Sequence, residues 1–281
     1  MSFNRIKSFA KINLTLNIIG KNSSLHKIES IVAFTSLHDE ILIKRIKSSK
    51  HKISFYGKFG KNITSKNTVS CLLNILEEKC FLKDKKFNIK IKKKIPPESG
   101  LGGGSMNAAS ILKFFVKKKI IKINDKQLIS VSKLIGSDVI LGFNPTFTIL
   151  NYNNKVKQFY NCKRIYTLIV KPNFGCSTKK IYSKVKKFTE AKYNKSTKKM
   201  FNLKYLKTGR NDLEPIAMSM YPKLKIIKQF LENLSTTVFV RMTGSGSALV
   251  AYFQTKENCD KARRQFCKKY KNYWCVASKT I

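Results

Sequence analysis

Fourteen consecutive residues constrain this chain more than any others: Pro96-Pro97-Glu98-Ser99-Gly100-Leu101-Gly102-Gly103-Gly104-Ser105-Met106-Asn107-Ala108-Ala109, four of them glycine. Before them, Asn88 to Ile95 sets Ile89, Ile91 and Ile95 at alternate positions, the pattern of a strand. After them, from Ser105 onward, Ala108, Ala109, Leu112, Phe115 and Val116 recur at helical spacing. A glycine-rich turn from strand into helix leaves backbone N–H groups bare and points the positive end of the helix dipole outward, and that geometry binds phosphate. A flexible linker would have neither the strand before it nor the helix after it. The chain is therefore expected to handle a phosphorylated ligand.

Two common phosphate loops do not match. A Walker loop needs a lysine after its last glycine, and here Gly104 is followed by Ser105 and Met106. A dinucleotide fingerprint needs a third glycine where Ser105 stands, and no acidic residue is evident at the end of a second strand.

The sequence Pro-x-x-x-Gly-Leu-Gly-Gly-Gly-Ser-x-Asn-Ala-Ala is instead similar to the phosphate loop of the GHMP kinases. Four other segments narrow the resemblance. Ala10-Lys11-Ile12-Asn13-Leu14 resembles the opening strand of that family, and Leu134-Ile135-Gly136-Ser137-Asp138-Val139 resembles its Leu-Gly-Ala/Ser-Asp-Val segment. Asn211-Asp212-Leu213-Glu214 matches an Asn-Asp-Leu/Phe-Glu element, and Arg241 to Ala248 resembles the C-terminal glycine motif. The combination is most similar to the branch that phosphorylates the 2-hydroxyl of 4-diphosphocytidyl-2-C-methyl-D-erythritol in the non-mevalonate isoprenoid pathway. The anchors run in order from residue 10 to about residue 250, nearly the whole chain.

The resemblance implies an α+β, two-lobed GHMP-kinase fold: an N-terminal ATP-binding lobe over 1–155 and a C-terminal ferredoxin-like lobe over 156–281, with the active site between them. It implies ATP and Mg²⁺ as cofactors and a small-molecule substrate, the cytidine diphosphate-linked methylerythritol. The Mg²⁺ ligands are open, as is the choice between monomer and homodimer. Two alternatives remain: a GHMP kinase for another small alcohol or phosphate acceptor, and a basic nucleic-acid-binding protein on the same fold.

Phosphoryl transfer needs positioning, charge neutralisation and a group that orients or deprotonates the attacking hydroxyl. Pro96, Pro97, Glu98, Ser99, Gly100, Leu101, Gly102, Gly103, Gly104, Ser105 and Met106 form the candidate ATP-phosphate loop, with the Ser105 hydroxyl available to a phosphate or Mg²⁺. Asn124 with Gln127 makes a capping box, Ile123 with Leu128 a hydrophobic staple, and Gly136 a stop, so Asp138 falls in a turn just past a helix. On spacing alone Asp138 is as readily a turn carboxylate as a catalytic one; the resemblance implies the catalytic base. Lys11 lies among apolar strand residues, where an unpaired cation is costly, and a carboxylate such as Asp138 would relieve that cost. The alternative is a solvated lysine on an outer strand face. Asn13, two residues along, points to the same side. The resemblance further implies that Asn13, His26, Thr178 and Tyr182 bind substrate, with His26 and Tyr182 at the cytosine ring.

Two departures bear on substrate affinity. The family's Asp-Gly-Tyr-His is replaced by Ser23-Ser24-Leu25-His26, which removes an aromatic partner, and Glu98-Ser99 stand where the family has glycines. Losing one stacking ring costs about 1–3 kcal/mol.

Composition sets outer bounds. Fifty-seven Lys and Arg against 15 Asp and Glu give a net charge of +42, which ordinarily prompts a nucleic-acid reading. The lysines are scattered along the chain, as in 90–94, 117–119 and 186–187, rather than gathered into one patch, so no specific nucleic-acid partner is expected. The hydrophobic fraction of 42% supports a sizeable core. Seven cysteines without Cys-x-x-Cys spacing read as buried, reduced thiols. No apolar run approaches membrane-spanning length, and the first motif begins by residue 10, so a cytoplasmic protein without a membrane partner is expected. The Lys-rich stretch 191–207 carries only scattered apolar residues and reads as a loop or mobile insertion.

Overall fold

The computed structural model describes residues 2–22, 25–153 and 155–281. The chain forms two compact units, each discontinuous in sequence: Met1–Ala10, Leu37–Pro97 and Gly102–Pro145 in the first, Lys11–Ser36, Glu98–Leu101 and Thr146–Ile281 in the second. Strands β1 (Asn4–Lys21) and β2 (His26–Ile46) pair with each other, and each passes from one unit into the other. Sequence patterning suggests two separate strands within 30–46; the chain makes one strand of 21 residues. Its middle, Thr35 to Asp39, has no Gly or Pro to break it, and the buried carboxylate there, that of Asp39, is satisfied. The Asp39 carboxylate accepts from the N–H groups of Lys94 (2.7 Å) and Ile95 (2.9 Å) and pairs with the Lys93 ammonium.

In the first unit, β3 (Lys52–Tyr56), helix α1 (Thr68–Glu78) and β4 (Lys86–Lys92) precede α2 (Gly103–Lys117), α3 (Asp125–Ile135) and α4 (Val139–Phe143). The strand order is β3-β4-β2, with β3 parallel and β2 antiparallel to β4. Leu72, Leu76, Phe87, Ile89, Leu112 and Phe115 form the centre of its core. The helix starts follow local chemistry. Asn67 with Ser70 closes a capping box on α1, and Asn124 with Gln127 closes one on α3, which stops at Gly136.

The second unit adds β5 (Phe147–Leu150), β6 (Val156–Phe159), β7 (Tyr166–Lys171), α5 (Thr178–Ser183), α6 (Leu203–Thr208), α7 (Glu214–Met220) and α8 (Pro222–Glu232). It closes with β8 (Phe239–Met242), β9 (Leu249–Phe253), α9 (Lys256–Lys269) and β10 (Trp274–Lys279). From β7 onward the sheet is antiparallel in the order β10-β7-β9-β8, and the chain order is strand–helices–strand–strand–helix–strand. That is the ferredoxin-like arrangement. Leu16 and Ile18 of β1 join its core with Leu168, Leu224, Leu249 and Phe266.

Two readings from sequence are corrected here. The stretch 191–207 is built in rather than mobile: it holds a 3₁₀ turn (Lys198–Phe201) and most of α6, and it buries Tyr193, Phe201 and Leu206. The Phe201 ring packs on Phe147 and Phe159, with centroids 5.1 and 5.3 Å away. Three widely spaced anchors among lysines leave no periodic signal. The cysteines are free thiols, but Cys80 and Cys267 are exposed rather than buried. Among the described residues no helix is long and apolar enough to cross a membrane.

Candidate active site

The glycine-rich loop is divided between the units: Pro96 and Pro97 belong to the first, Glu98–Leu101 to the second, and Gly102 onward to the first again. In the first unit α2 begins two residues earlier than the apolar spacing suggests, at Gly103, behind Gly102 in the left-handed conformation (φ 69°). No side chain caps this helix and its first turn has no acidic residue, so the N–H groups that open it are left for a ligand. The cradle is narrow: a Cβ on Gly104 would lie 3.1 Å from Thr68 Oγ1, which donates to the Gly104 carbonyl (2.8 Å). Further along α2, Asn107 is buried and its Oδ1 accepts no hydrogen bond from the protein. An unmet buried acceptor costs about 1–3 kcal/mol. The uncapped helix start and the small-residue cradle suit the oxygens of a phosphate group.

Asp138 stands at the N-cap position of α4 and is half-buried, yet its side chain makes no capping bond. The turn before it is held by Gly136 accepting from Val139 N–H (3.1 Å). What fixes α4 is Gly142: a Cβ there would lie 2.7 Å from Met106 Sδ and 2.8 Å from Ala109 Cβ. Only glycine allows α4 to press against α2 this closely. The carboxylate-bearing turn is thereby locked to the helix that starts in the glycine-rich loop. Gly136 also lies beside Ser105, with a Cβ at that position 3.8 Å from Ser105 Oγ.

In the second unit, β1 is buried on both faces from Lys11 to Ile18. Lys11 is therefore not a solvated lysine on an outer face; it is 4% exposed, and its Nζ donates to Asn13 Oδ1 (2.7 Å). Asn13 Nδ2 donates to Ser30 Oγ (2.8 Å), and Ser30 Oγ donates to the Thr15 carbonyl (2.5 Å). The Asn13 N–H donates to Thr243 Oγ1 (3.0 Å), which brings the C-terminal glycine motif onto the strand. Gly100 meets the same turn. Its φ is +72°, and a Cβ there would lie 2.0 Å from the Thr243 carbonyl oxygen, so no other residue fits. The Leu101 carbonyl accepts from Lys11 N–H (3.1 Å), so Glu98–Leu101, Lys11–Asn13 and Thr243–Ser247 form one hydrogen-bonded cluster.

Glu98 turns its side chain onto the 174–176 stretch: a Cβ on Gly175 would lie 1.9 Å from Glu98 Oε2. Its carboxylate faces Lys171, whose pKa burial lowers and Glu98 partly restores. Thr178, exposed at the start of α5, shares a hydrogen bond with Ser245 Oγ (2.7 Å). His26 and Tyr182 come together, with ring centroids 5.1 Å apart at 46°. No third ring fits between them at that spacing, so a base would stack on an outer face. Burial and then Lys21 lower the His26 pKa, which leaves a neutral imidazole able both to donate and to accept. Leu25 is 72% exposed; Ser23 and Ser24 lie outside the described residues.

Comparison with known proteins is consistent with this layout. The GHMP kinases N terminal domain matches residues 67–150 and the GHMP kinases C terminal domain matches 196–272. A 4-diphosphocytidyl-2-C-methyl-D-erythritol kinase of Pelagibacter ubique (strain HTCC1062) is 53% identical over 277 residues, covering 99% of each chain. The chain belongs to this family of GHMP kinases. Its relative of the same name from Clostridium tetani (strain Massachusetts / E88) is 31% identical over 99% of this chain and 100% of that one. Among solved structures, a 4-(cytidine 5'-diphospho)-2C-methyl-D-erythritol kinase shares the fold with a TM-score of 0.77 at 20% identity, covering 99% of both chains. A homoserine kinase from Cytophaga hutchinsonii ATCC 33406 gives 0.71 at 16% identity, covering 99% and 94%.

Sequence reasoning missed several residues that shape the site of this GHMP kinase. Asn107 was visible only as part of a motif, because burial without a partner has no sequence signature. Lys93 is buried in a pair with Asp39, and its Nζ lies beside Gly103, 3.3 Å from where a Cβ would be. It is hidden in a run of three lysines. Asn211, Thr243 and Tyr193 act through hydrogen bonds to residues far away in sequence, and no local pattern reports those.

Proposed function

We propose that this ATP-dependent kinase phosphorylates the 2-hydroxyl of 4-diphosphocytidyl-2-C-methyl-D-erythritol in the non-mevalonate isoprenoid pathway, acting in the cytoplasm. The observation that carries the chemistry is the lock between α4 and α2: Gly142 packed on Met106 and Ala109 holds Asp138 to the helix that opens in the phosphate loop. The acceptor is supported by the names of full-length relatives.

The Asp138 carboxylate takes the proton of the 2-hydroxyl as its oxygen attacks the γ-phosphorus of ATP and the bond from that phosphorus to the bridging oxygen breaks, releasing ADP. Lys11 Nζ, aimed by Asn13 Oδ1, stabilises the charge that develops on that oxygen, and Asn13 Nδ2, held by Ser30, fixes the amide's orientation. The N–H groups at the start of α2 hold the phosphates, and Ser105 adds its hydroxyl. The Ser105 hydroxyl would offer an oxygen donor to Mg²⁺ arriving with the nucleotide, and the ion would supply neutralisation of phosphate charge. Thr178, His26 and Tyr182 hold the cytidyl end: His26 donates and accepts at the base edge, and Tyr182 stacks. The net charge of +42 raises the local concentration of both anionic reactants.

The test is ADP release from the full chain with ATP and Mg²⁺, with the cytidyl substrate or with homoserine, mevalonate or galactose. Release dependent on the cytidyl substrate alone is expected. Release with another acceptor instead would retain the kinase and discard this substrate.

A further inference from the structure

The Asn211-Asp212-Leu213-Glu214 element has no role in the mechanism above. Its side chains nonetheless converge on the turn that closes the second unit's cluster. Asn211 is 3% exposed, and its Nδ2 donates to the carbonyls of Met242 and Gly244, both at 2.8 Å. Only the amide nitrogen can serve two carbonyls, so the orientation of the amide is fixed, and its Oδ1 accepts from Leu213 N–H (3.0 Å). Glu214 Oε2 accepts from Met242 N–H (2.6 Å). Strand β8 is the edge of its sheet, and Met242 at its end has both backbone groups satisfied by this one element. The backbone follows the same course: Leu16 N–H donates to the Arg210 carbonyl and Asp212 N–H to the Leu16 carbonyl, both at 2.9 Å. Asp212 Oδ2 accepts from Ile18 N–H (2.8 Å).

The element therefore joins β1 to the Met242–Gly244 turn. What that turn carries is Thr243, whose Oγ1 accepts from Asn13 N–H and donates to the Gly100 carbonyl (3.2 Å). We propose that Asn211 is a positioning residue for the phosphoryl transfer: it holds the Met242–Gly244 turn so that Thr243 fixes Asn13, and through Asn13 the Lys11 ammonium. This rests on the function proposed above. It follows from what Asn211 alone supplies, namely two donors aimed at two buried carbonyls of one turn.

The decisive variant is Asn211→Asp, which keeps size and the Oδ1 acceptor and replaces the donating group by oxygen facing the two carbonyls. Protonation of the new carboxyl returns one donor, so the defect should shrink as pH falls. The expected result is a kcat about 10- to 100-fold below wild type at mildly alkaline pH, because misplacement of an orienting group costs rate at this scale, with KM for ATP nearly unchanged. The ratio of variant to wild-type kcat should then rise on acidification. A folded variant with wild-type kcat across the pH range would overturn the proposal. If Asn211→Asp does not fold, Thr243→Val and Thr243→Ser read the same link one step on. Thr243→Val should lower kcat and Thr243→Ser restore it, and equal rates would overturn the proposal. Hydrogen exchange keeps the test separate from the function. In Asn211→Asp the Asn13 amide should exchange at least about 10-fold faster, since its acceptor is no longer held. An unchanged Asn13 amide overturns the positioning role even if wild-type protein turns over no acceptor. An accelerated amide in a wild-type background without turnover supports the positioning link and removes only the assigned reaction.

Discussion

The two units carry their candidate residues by opposite means. The first works with backbone: an uncapped helix start, a glycine cradle, and a glycine at 142 that lets α4 lie against α2. The second works with buried side chains: Lys11, Asn13 and Ser30 bond in series to the Thr15 carbonyl, and the Thr15 hydroxyl bonds Tyr193 in the stretch after α5. Backbone N–H groups suit a ligand portion that every nucleotide shares, since a phosphate chain needs only oriented dipoles. Side chains suit the part that must differ between kinases of one fold, where a hydroxyl has to be held and a base recognised. Two solved structures that share the fold, at 20% and 16% identity, are a 4-(cytidine 5'-diphospho)-2C-methyl-D-erythritol kinase and a homoserine kinase.

If that contrast is right, Asp138 should be the side chain of the first unit whose loss is severe. We predict that Asp138→Asn lowers kcat by about 10²- to 10⁴-fold, the range for removing a general base, with ATP binding largely retained. Ser105→Ala, by contrast, should cost little, because the backbone does the holding. Steady-state rates with nucleotide titration decide it, and comparable losses in the two variants would break the contrast. Next in size is Gly142→Ala. The added methyl meets Met106 Sδ and Ala109 Cβ inside van der Waals distance, so α4 must move; about 1–3 kcal/mol of stability is expected to go, as for other overpacked sites. Turnover should fall with it while KM for ATP changes less, since the glycines and N–H groups that open α2 are unaltered. Tyr182→Ala probes the side-chain half. Losing one stacked ring corresponds to about 1–3 kcal/mol, or roughly 5- to 150-fold in KM for the cytidyl substrate, with KM for ATP unaffected. Equal changes in both constants would count against a base site at His26 and Tyr182.

The same contrast explains how much could be read from sequence. Backbone devices leave marks in local spacing: the loop, the Asn124–Gln127 cap, the Gly136 stop and the turn carrying Asp138 follow from it, whereas the ferredoxin-like lobe is implied by the family resemblance and not by local pattern. Side-chain devices leave few. Lys11 could be flagged because a lysine inside an apolar strand is expensive, but Thr243 joins Asn13 across 230 positions and Glu29 meets Tyr193 across 164. Nothing in the local composition of 191–207 announces that its backbone is held by a buried carboxylate. The long β2 was divided for a related reason. Asp39 looks like a break until its partners, Lys93 to Ile95, are seen beside it.

That buried stretch gives the smallest prediction and the most specific one. Glu29, fully buried, accepts from Asn17 Nδ2 (2.9 Å) and from the N–H groups of Lys192 (2.8 Å) and Tyr193 (3.1 Å). Tyr193 then reaches Thr15 Oγ1 with its hydroxyl (2.7 Å). Tyr193→Phe keeps the ring and removes the hydroxyl, with its bond to Thr15 and its interaction with Asn17. Thr15 Oγ1 still accepts from Ile31 N–H (3.1 Å), so it is not orphaned, and near neutral pH about 0.5–1.5 kcal/mol should be lost. Alkaline pH reverses the comparison. Burial, first among its causes, pushes the Tyr193 hydroxyl up to about 12 from an ordinary value of 10. Its folded pKa thus lies above its unfolded one: the unfolded chain gives up this proton first, and stability present below pH 10 drains away as pH rises toward 12. A gap of that size is worth roughly 3 kcal/mol, and the phenylalanine variant has no such proton to lose. Denaturant melts of both proteins on either side of pH 10 should therefore converge, and the variant should become the more stable one near pH 12. Parallel curves over that interval would mean that Tyr193 is wetter than its position between β1 and the 191–207 stretch requires, and the side-chain half of the site would then be less tightly held than the backbone half.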